Sequence, residues 1–337
     1  MVWLKLLFCL VVILFSGTKL ARYGDAIAEK TGMGRVWIGM VLIAIVTAMP
    51  ELVTSISSVA LVKIPDLALG TLFGSCLFNL AIIAVLDIIY RASPILSTVS
   101  RGHIISAAIG IILMAIGGVT IVIGENLSII SLGWVGIPGI ITLVLYLIVT
   151  RYMFRSEEKQ NKEESPADET SIYNHLSAKR VYIGFALASL TIIGTGIWLS
   201  YIGDEIAEVT GWGASFVGSL FLAITTSMPE LAVTIAAVRL GAADMAIADI
   251  LGANMLDVVA VLWNDIFYTQ GPILADVSNS HIITSIIVMI MSLMTILGIR
   301  FGRKRKILKV FSWYTPLYIG LYIFGSFMLF SEGLGVG

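Results

Sequence analysis

Two glutamates, Glu51 and Glu230, lie near the middle of long apolar runs, and each directly follows a proline, Pro50 and Pro229. An ionisable group at membrane depth is costly, so its presence marks a functional site by default. Proline withholds a backbone donor, which should leave the carbonyls of Val46 and Thr225, four residues upstream, without their helical partners. An unwound turn where such carbonyls meet a carboxylate is how discontinuous membrane helices hold cations. Helical spacing adds hydroxyls to the same faces: Thr47, Thr54 and Ser55 around Glu51, and Thr226 and Thr234 around Glu230.

Further along each half, Thr71, Ser75 and Asn79 recur at steps of four and form one polar stripe on an apolar helix, and Asp249, Ala253 and Asp257 take the same places on its mate. Small pairs, Gly70 with Gly74 and Ala248 with Gly252, flank the stripes and permit close helix packing. The assembled set is carboxylates, an amide, hydroxyls and carbonyls, hard oxygen ligands that suit calcium. Soft transition metals are disfavoured, because no His, Cys or Met accompanies the carboxylates at these positions. A structural alternative, a neutral carboxylic acid held by one hydrogen bond, is set aside because the Pro–Glu element occurs twice. Single hydroxyls such as Thr54, Ser55 and Thr234 read more readily as interhelical glue than as ligands. Asp249 lies about five residues beyond Asp244, which leaves open whether it belongs to the site or to a cytoplasmic vestibule.

The elements that position these residues are membrane helices. A hydrophobic share of 58% against 13% charged residues excludes a soluble enzyme. Ten apolar runs are expected as helices, near 2–18, 34–60, 66–90, 103–123, 129–153, 180–202, 212–238, 244–267, 281–299 and 310–331. The first has the length of a signal peptide, but Lys5 within it and the lack of a small-x-small cleavage site keep it as a helix. Alternating the loops of ten helices puts nineteen Lys and Arg on one side and only Lys5 and Lys63 on the other. The basic side is the cytoplasmic one, so both termini are expected outside it. The polar stretch 156–171 reads as a flexible cytoplasmic linker, and the chain divides into 1–153, the linker 154–179, and 180–337. Asp25, Glu29, Asp204, Glu205 and Glu208 read as interhelical, solvated or capping. Cys9 and Cys76, both in apolar runs, read as small buried residues and exclude a disulfide framework.

The chain also repeats itself. At an offset of 179, Gly24 to Gly34 aligns with Gly203 to Gly213 with eight of eleven residues identical, and Met49-Pro50-Glu51-Leu52 falls on Met228-Pro229-Glu230-Leu231. At 178, Asp66 falls on Asp244, Gly74 on Gly252 and Asn79 on Asp257. Five helices per half is odd, so the second copy must insert upside down, with the site expected at mid-membrane between the copies. The fold class is thus an all-α membrane protein of ten transmembrane helices in two inverted five-helix repeats.

At these residues the sequence resembles the sodium/calcium exchanger family of the cation/calcium antiporter superfamily, whose two alpha repeats carry a Gly-Thr-Ser-x-Pro-Glu turn and a downstream Gly-Ser-Asn-x-x-Asn or Asp segment. The first repeat here reads Val46-Thr47-Ala48-Met49-Pro50-Glu51 with Gly74-Ser75-Cys76-Leu77-Phe78-Asn79, and the second reads Thr225-Thr226-Ser227-Met228-Pro229-Glu230 with Gly252-Ala253-Asn254-Met255-Leu256-Asp257. The resemblance implies that Glu51 and Glu230, with Thr47 and Thr226, surround a transported calcium. It implies also that Ser75, Ser227, Asn79 and Asp257 help form coupling-ion sites, and that the first and sixth helices slide across a fixed core. Ala48 and Ala253 stand where sodium-coupled members have serine, Cys76 where Asn is usual, and Thr71 and Asp249 where Asn is frequent. The expected function is therefore exchange of calcium for sodium by alternating access, with a proton or another cation as the rival counter-ion. A proton mechanism would protonate Glu51, Glu230 or Asp257 as calcium leaves.

A channel is disfavoured by the duplicated broken helices and the absence of a filter sequence. An intramembrane enzyme is disfavoured because His103 and His281 start helices and His175 lies in the linker, so no catalytic histidine is expected at membrane depth. No cofactor, nucleic acid or protein partner is implied. The expected partners are inorganic cations (Ca2+, with Na+ or H+) and the lipid bilayer, in a prokaryotic plasma membrane.

Overall fold

The computed structural model describes residues 1–31, 43–124, 131–161, 177–302, 306–307 and 310–333. The described chain is almost wholly helical. We number the helices α1 (Val2–Thr31), α2 (Ile43–Thr47), α3 (Met49–Ser57), α4 (Pro65–Ile89), α5 (His103–Ile123), α6 (Ile137–Asn161), α7 (Ala178–Thr210), α8 (Ala214–Val217), α9 (Ala223–Thr226), α10 (Met228–Arg239), α11 (Ala243–Phe267), α12 (Ser280–Phe301) and α13 (Thr315–Gly333). Among the described residues six helices, α1, α4, α5, α7, α11 and α12, are long and apolar enough to cross a membrane, and the bent run from Ala214 to Arg239 makes a seventh.

Several expected boundaries move. The first and sixth expected helices, 2–18 and 180–202, run on to Thr31 and Thr210. Asp25, Glu29, Asp204, Glu205 and Glu208 thus lie within helices and not between them. The apolar runs stop near 18 and 202, but no proline follows and Gly24 and Gly203 are surrounded by good helix formers, so the helices continue through them. α7 ends one residue before Gly211, whose φ of +71° suits glycine at a left-handed cap. The expected helix at 129–153 begins late, because Ser131–Leu132 and Val135–Gly136 pair as a small antiparallel hairpin turning at Gly133, φ +68°. Pro138 then occupies the second position of α6, where a missing N–H is harmless. The last helix likewise starts at Thr315 with Pro316 second. Residues 34–42 of the second expected helix and 162–176 of the linker lie outside the described residues.

α4 and α11 are the most enclosed of the spans, whereas α1 and α7 are the least enclosed, with only a third of their apolar stretch buried. Leu72, Phe73, Leu77, Leu80 and Ile83 of α4 meet Ile247, Ile250 and Val258 of α11 in the main core. Close approach is built in: a Cβ on Gly74 would lie 2.4 Å from Ser219 Cα, and one on Gly218 2.6 Å from the Leu67 carbonyl. These glycines let α4 lie backbone against backbone on the π-helical turn Gly218–Leu222.

The two repeats also grip one another through aspartates related by the offset of 178. Asp66, at the start of α4, accepts from His281 Nε2 (3.0 Å) and Ser278 N–H (2.7 Å), while Asp244, at the start of α11, accepts from His103 Nε2 (3.0 Å) and from Ser100 N–H. Near the other ends of the same helices, Asp87 caps the N–H of Ile95 (3.0 Å) and Asp265 that of Ile273 (2.7 Å). Among the described residues Asp265 adds only the N–H of Gly136. Asp87 collects far more: Ser312 N–H and Oγ, Tyr314 Oη and Thr315 Oγ1, with Lys306 Nζ at 3.5 Å. Burial pushes the Lys306 amine below the usual lysine range, and Asp87 opposes that shift. Removing one member of such a buried set strands the others. Asp87→Ala is therefore expected to destabilise the protein by about 3–5 kcal/mol and Asp265→Ala by less, which thermal unfolding of the detergent-solubilised protein followed by tryptophan fluorescence will show.

Candidate cation-binding site

Both Pro–Glu elements break their helices as the sequence predicts. α2 stops at Thr47 and α3 restarts at Met49 through Ala48 (φ −75°, ψ 0°), and α9 stops at Thr226 and α10 restarts at Met228 through Ser227 (φ −85°, ψ 10°). Pro50 and Pro229 sit in the first turn of the new helix, where no donor is required. The run containing Glu230 bends by 45° at its break. Two unlike breaks of the same design thus aim Glu51 and Glu230 inward, each only 1% exposed.

The breaks meet. Ser227, in the break of the second repeat, donates its hydroxyl to Glu51 Oε1 of the first at 2.8 Å, and its Oγ lies 3.0 Å from Ser75 Oγ on α4. Thr226, the residue before Ser227, lies close to the same Glu51 carboxylate, and its hydroxyl donates to the Leu222 carbonyl, 3.0 Å away in its own helix. Glu230 is in electrostatic contact with Glu51, Asp249 and Asp257. Thr47 is fully buried beside the first break, and Asn79 lies one turn beyond Ser75. Among the described residues, Glu51 Oε2, Glu230 Oε2, Asn79 Oδ1, Thr54 Oγ1 and Asp249 Oδ2 are buried without a hydrogen-bond partner. Buried polar oxygens rarely stay unpaired unless water, an ion or another ligand completes them.

One expectation is corrected here. Cys76 does accompany a carboxylate: its Sγ lies 3.8 Å from Asp257 Oδ2 and 3.6 Å from the Asn254 carbonyl, while Asn254 Nδ2 donates to the Cys76 carbonyl at 3.2 Å. Spacing along one helix does not reveal this contact, which crosses from α4 to α11. The pair is nevertheless legible in the repeat, because Cys76 and Asn254 are 178 apart. Asn264 is a residue the sequence reading passed over, and its Nδ2 donates to Ser55 Oγ at 3.1 Å. Thr234 donates to the Glu230 carbonyl at 2.7 Å and Thr71 to that of Leu67 at 2.8 Å, which fits both as internally satisfied helix hydroxyls. Among the described residues no three His, Cys, Asp or Glu side chains converge closely enough to hold a metal ion by themselves. A cation between the two breaks would draw on hydroxyl, amide and backbone oxygen as well as carboxylate, in keeping with a hard ion.

The outer helices close over the breaks at glycines that are again 179 apart. A Cβ on Gly17 of α1 would overlap the Pro229 ring at 2.3 Å, and one on Gly196 of α7 would lie 3.0 Å from Val53 and 3.1 Å from Thr54 Oγ1. α1 therefore lies against the second repeat's Pro–Glu turn and α7 just beyond the first's.

A membrane protein with two inward-facing broken helices joined through an oxygen-lined site has the design of a secondary transporter. The family described as sodium/calcium exchanger protein matches residues 1–155 and 180–331, and the chain belongs to it. It is thus an integral, multi-pass cation/calcium antiporter and not an enzyme. Among its relatives, the inner membrane protein YrbG of Escherichia coli (strain K12) is 27% identical over 78% of this chain and 79% of its own length. The sodium/calcium exchanger MaX1 of Methanosarcina acetivorans is 22% identical over 77% and 81%. The solved sodium-calcium exchanger NCX_Mj, soaked with 100 mM Na+ and 10 mM Sr2+, shares the fold at a TM-score of 0.61 and 20% identity, covering 96% of this chain and 98% of its own.

Adding a methyl at the two closing glycines overpacks the contact. Gly17→Ala is expected to cost about 1–3 kcal/mol and Gly196→Ala less, read as the fall in thermal midpoint of each purified variant.

Proposed function

We propose that this protein exchanges calcium for sodium across a prokaryotic plasma membrane by alternating access. The observation that carries the reading is the hydroxyl of Ser227 on Glu51 at 2.8 Å, which joins the broken helix of one repeat to that of the other beside Ser75. Glu51 and Glu230, with Thr47 and Thr226, surround calcium, and Ser75, Ser227, Asn79 and Asp257 hold the coupling ions. Ten helices form two inverted repeats of five, 1–153 and 180–337. The segment 154–179 is cytoplasmic, and both termini are on the other side. The family match supports that division, since it stops at 155 and resumes at 180.

A second reading makes the counter-ion a proton. It is favoured by Ala48 and Ala253, which offer no hydroxyl at two points along the breaks and stripes. Carboxylates that bind calcium when ionised and a proton when it leaves need no such hydroxyls.

Calcium uptake into proteoliposomes decides between them. Uptake driven by an outward sodium gradient supports the first reading, and uptake driven only by an outward proton gradient supports the second. Glu51→Gln and Glu230→Gln are expected to lower either uptake by at least about a hundredfold, as loss of a buried charged ligand costs several kcal/mol. No calcium flux under any gradient would overturn both.

A further inference from the structure

Along the two enclosed helices the repeats match in position but not in charge. The offset of 178 puts Thr71 on Asp249, Ser75 on Ala253 and Asn79 on Asp257. Thr71 is satisfied within α4 by the Leu67 carbonyl, 2.8 Å away. Asp249 has no such outlet, because a carboxylate cannot donate to a helix carbonyl. Its Oδ2 is buried and unpartnered. Glu230 lies within its electrostatic reach, is itself only 1% exposed, and also carries a buried, unpartnered oxygen, Oε2. Among the described residues the ion pairs are Lys5–Glu205, His103–Asp244, His281–Asp66 and Lys306–Asp87, and none supplies a positive charge to this pair. Two ionised carboxylates so placed repel one another unless a proton or a cation is shared between them.

We propose that Asp249 is a selectivity-determining residue of the cation site, whose negative charge, two turns before Asp257 on the same face of α11, tilts the site toward divalent over monovalent cations. The inference rests on the exchange reading above. Its physical basis is that Coulomb energy scales with the product of the charges, so one carboxylate at a given distance favours a divalent cation twice as strongly as a monovalent one. The second repeat gives up a neutral ligand at Ala253 and gains a full charge one turn earlier on the same face. Its half of the site attracts cations by charge where the first repeat's half uses hydroxyl ligands.

Asp249→Asn keeps the side-chain shape and removes the charge, and Asp249→Thr installs the residue found at the same place in the first repeat. Equilibrium dialysis of the purified full-length protein against radioactive Ca2+ alone, and Na+ alone, reads the effect. Both variants are expected to bind both ions more weakly, with the logarithmic loss for calcium twice that for sodium: about tenfold for sodium goes with about a hundredfold for calcium. A merely structural role would weaken both ions by a common factor. That result, or unchanged binding of both, overturns the assignment while leaving the exchange reading intact. Failure of the unsubstituted protein to bind either ion overturns both.

Discussion

A carboxylate buried at membrane depth has to find compensation from the protein or from a ligand, and the arrangement of this molecule follows from that requirement at Glu51 and Glu230. Neither has a cationic side chain beside it among the described residues. Glu51 is held instead by a serine hydroxyl from the opposite repeat. That contact joins the break in one helix to the other repeat's carboxylate, and Pro50 and Pro229 stand in the first turn after each break. Breaks of this kind expose backbone that lipid cannot solvate, so the turns have to be enclosed. α4 and α11 enclose them from within, and α1 and α7 cross over them from outside.

Enclosure sets the packing. α4 reaches the broken second-repeat helix only because Gly74 and Gly218 allow backbone to meet backbone, and α1 reaches Pro229 only because Gly17 has no side chain. Ends of the enclosed helices are fixed separately, by mirrored aspartates. Asp66 and Asp244 take histidines of the other repeat, and Asp87 and Asp265 each take one backbone N–H of their own repeat, Ile95 and Ile273, and one of the other, Ser312 and Gly136. These contacts lie away from the breaks, so the site is framed by polar anchors near the helix ends and by glycine contacts near its centre. An ion held there would lie within this frame, whose outer cover, α1 and α7, is the least enclosed pair among the six long apolar spans.

The symmetry is incomplete, and the departures are chemical. Asp87 carries an inward lysine and three hydroxyl donors, whereas its mate Asp265 has two N–H groups. Cys76 faces Asn254 and Asp257, so a thiol and an amide occupy one paired position. Thr71 is satisfied in its own helix and Asp249 is not. Duplication supplied one element twice, and substitution then gave each copy a different charge and ligand set.

The helical membrane class, the duplicated Pro–Glu elements, the breaks and the enclosed polar stripes were all legible in the sequence. Each depends on local or periodic properties: an apolar run, a missing N–H, a four-residue spacing, an offset between copies. Helix ends were less legible, because the apolar runs stop near 18 and 202 while polar helix formers beyond them carry the helices on to Thr31 and Thr210. The apolar segment before Ile137 satisfied the length for a helix, yet Gly133 and the hairpin pairing took its first residues. Contacts between distant segments were decided only by the tertiary structure. Ser227 on Glu51, Cys76 against Asp257, Asn264 on Ser55 and Gly17 against Pro229 join residues more than 170 positions apart. Their geometry depends on how two copies of one chain interlock, and periodicity along a single helix carries no record of that.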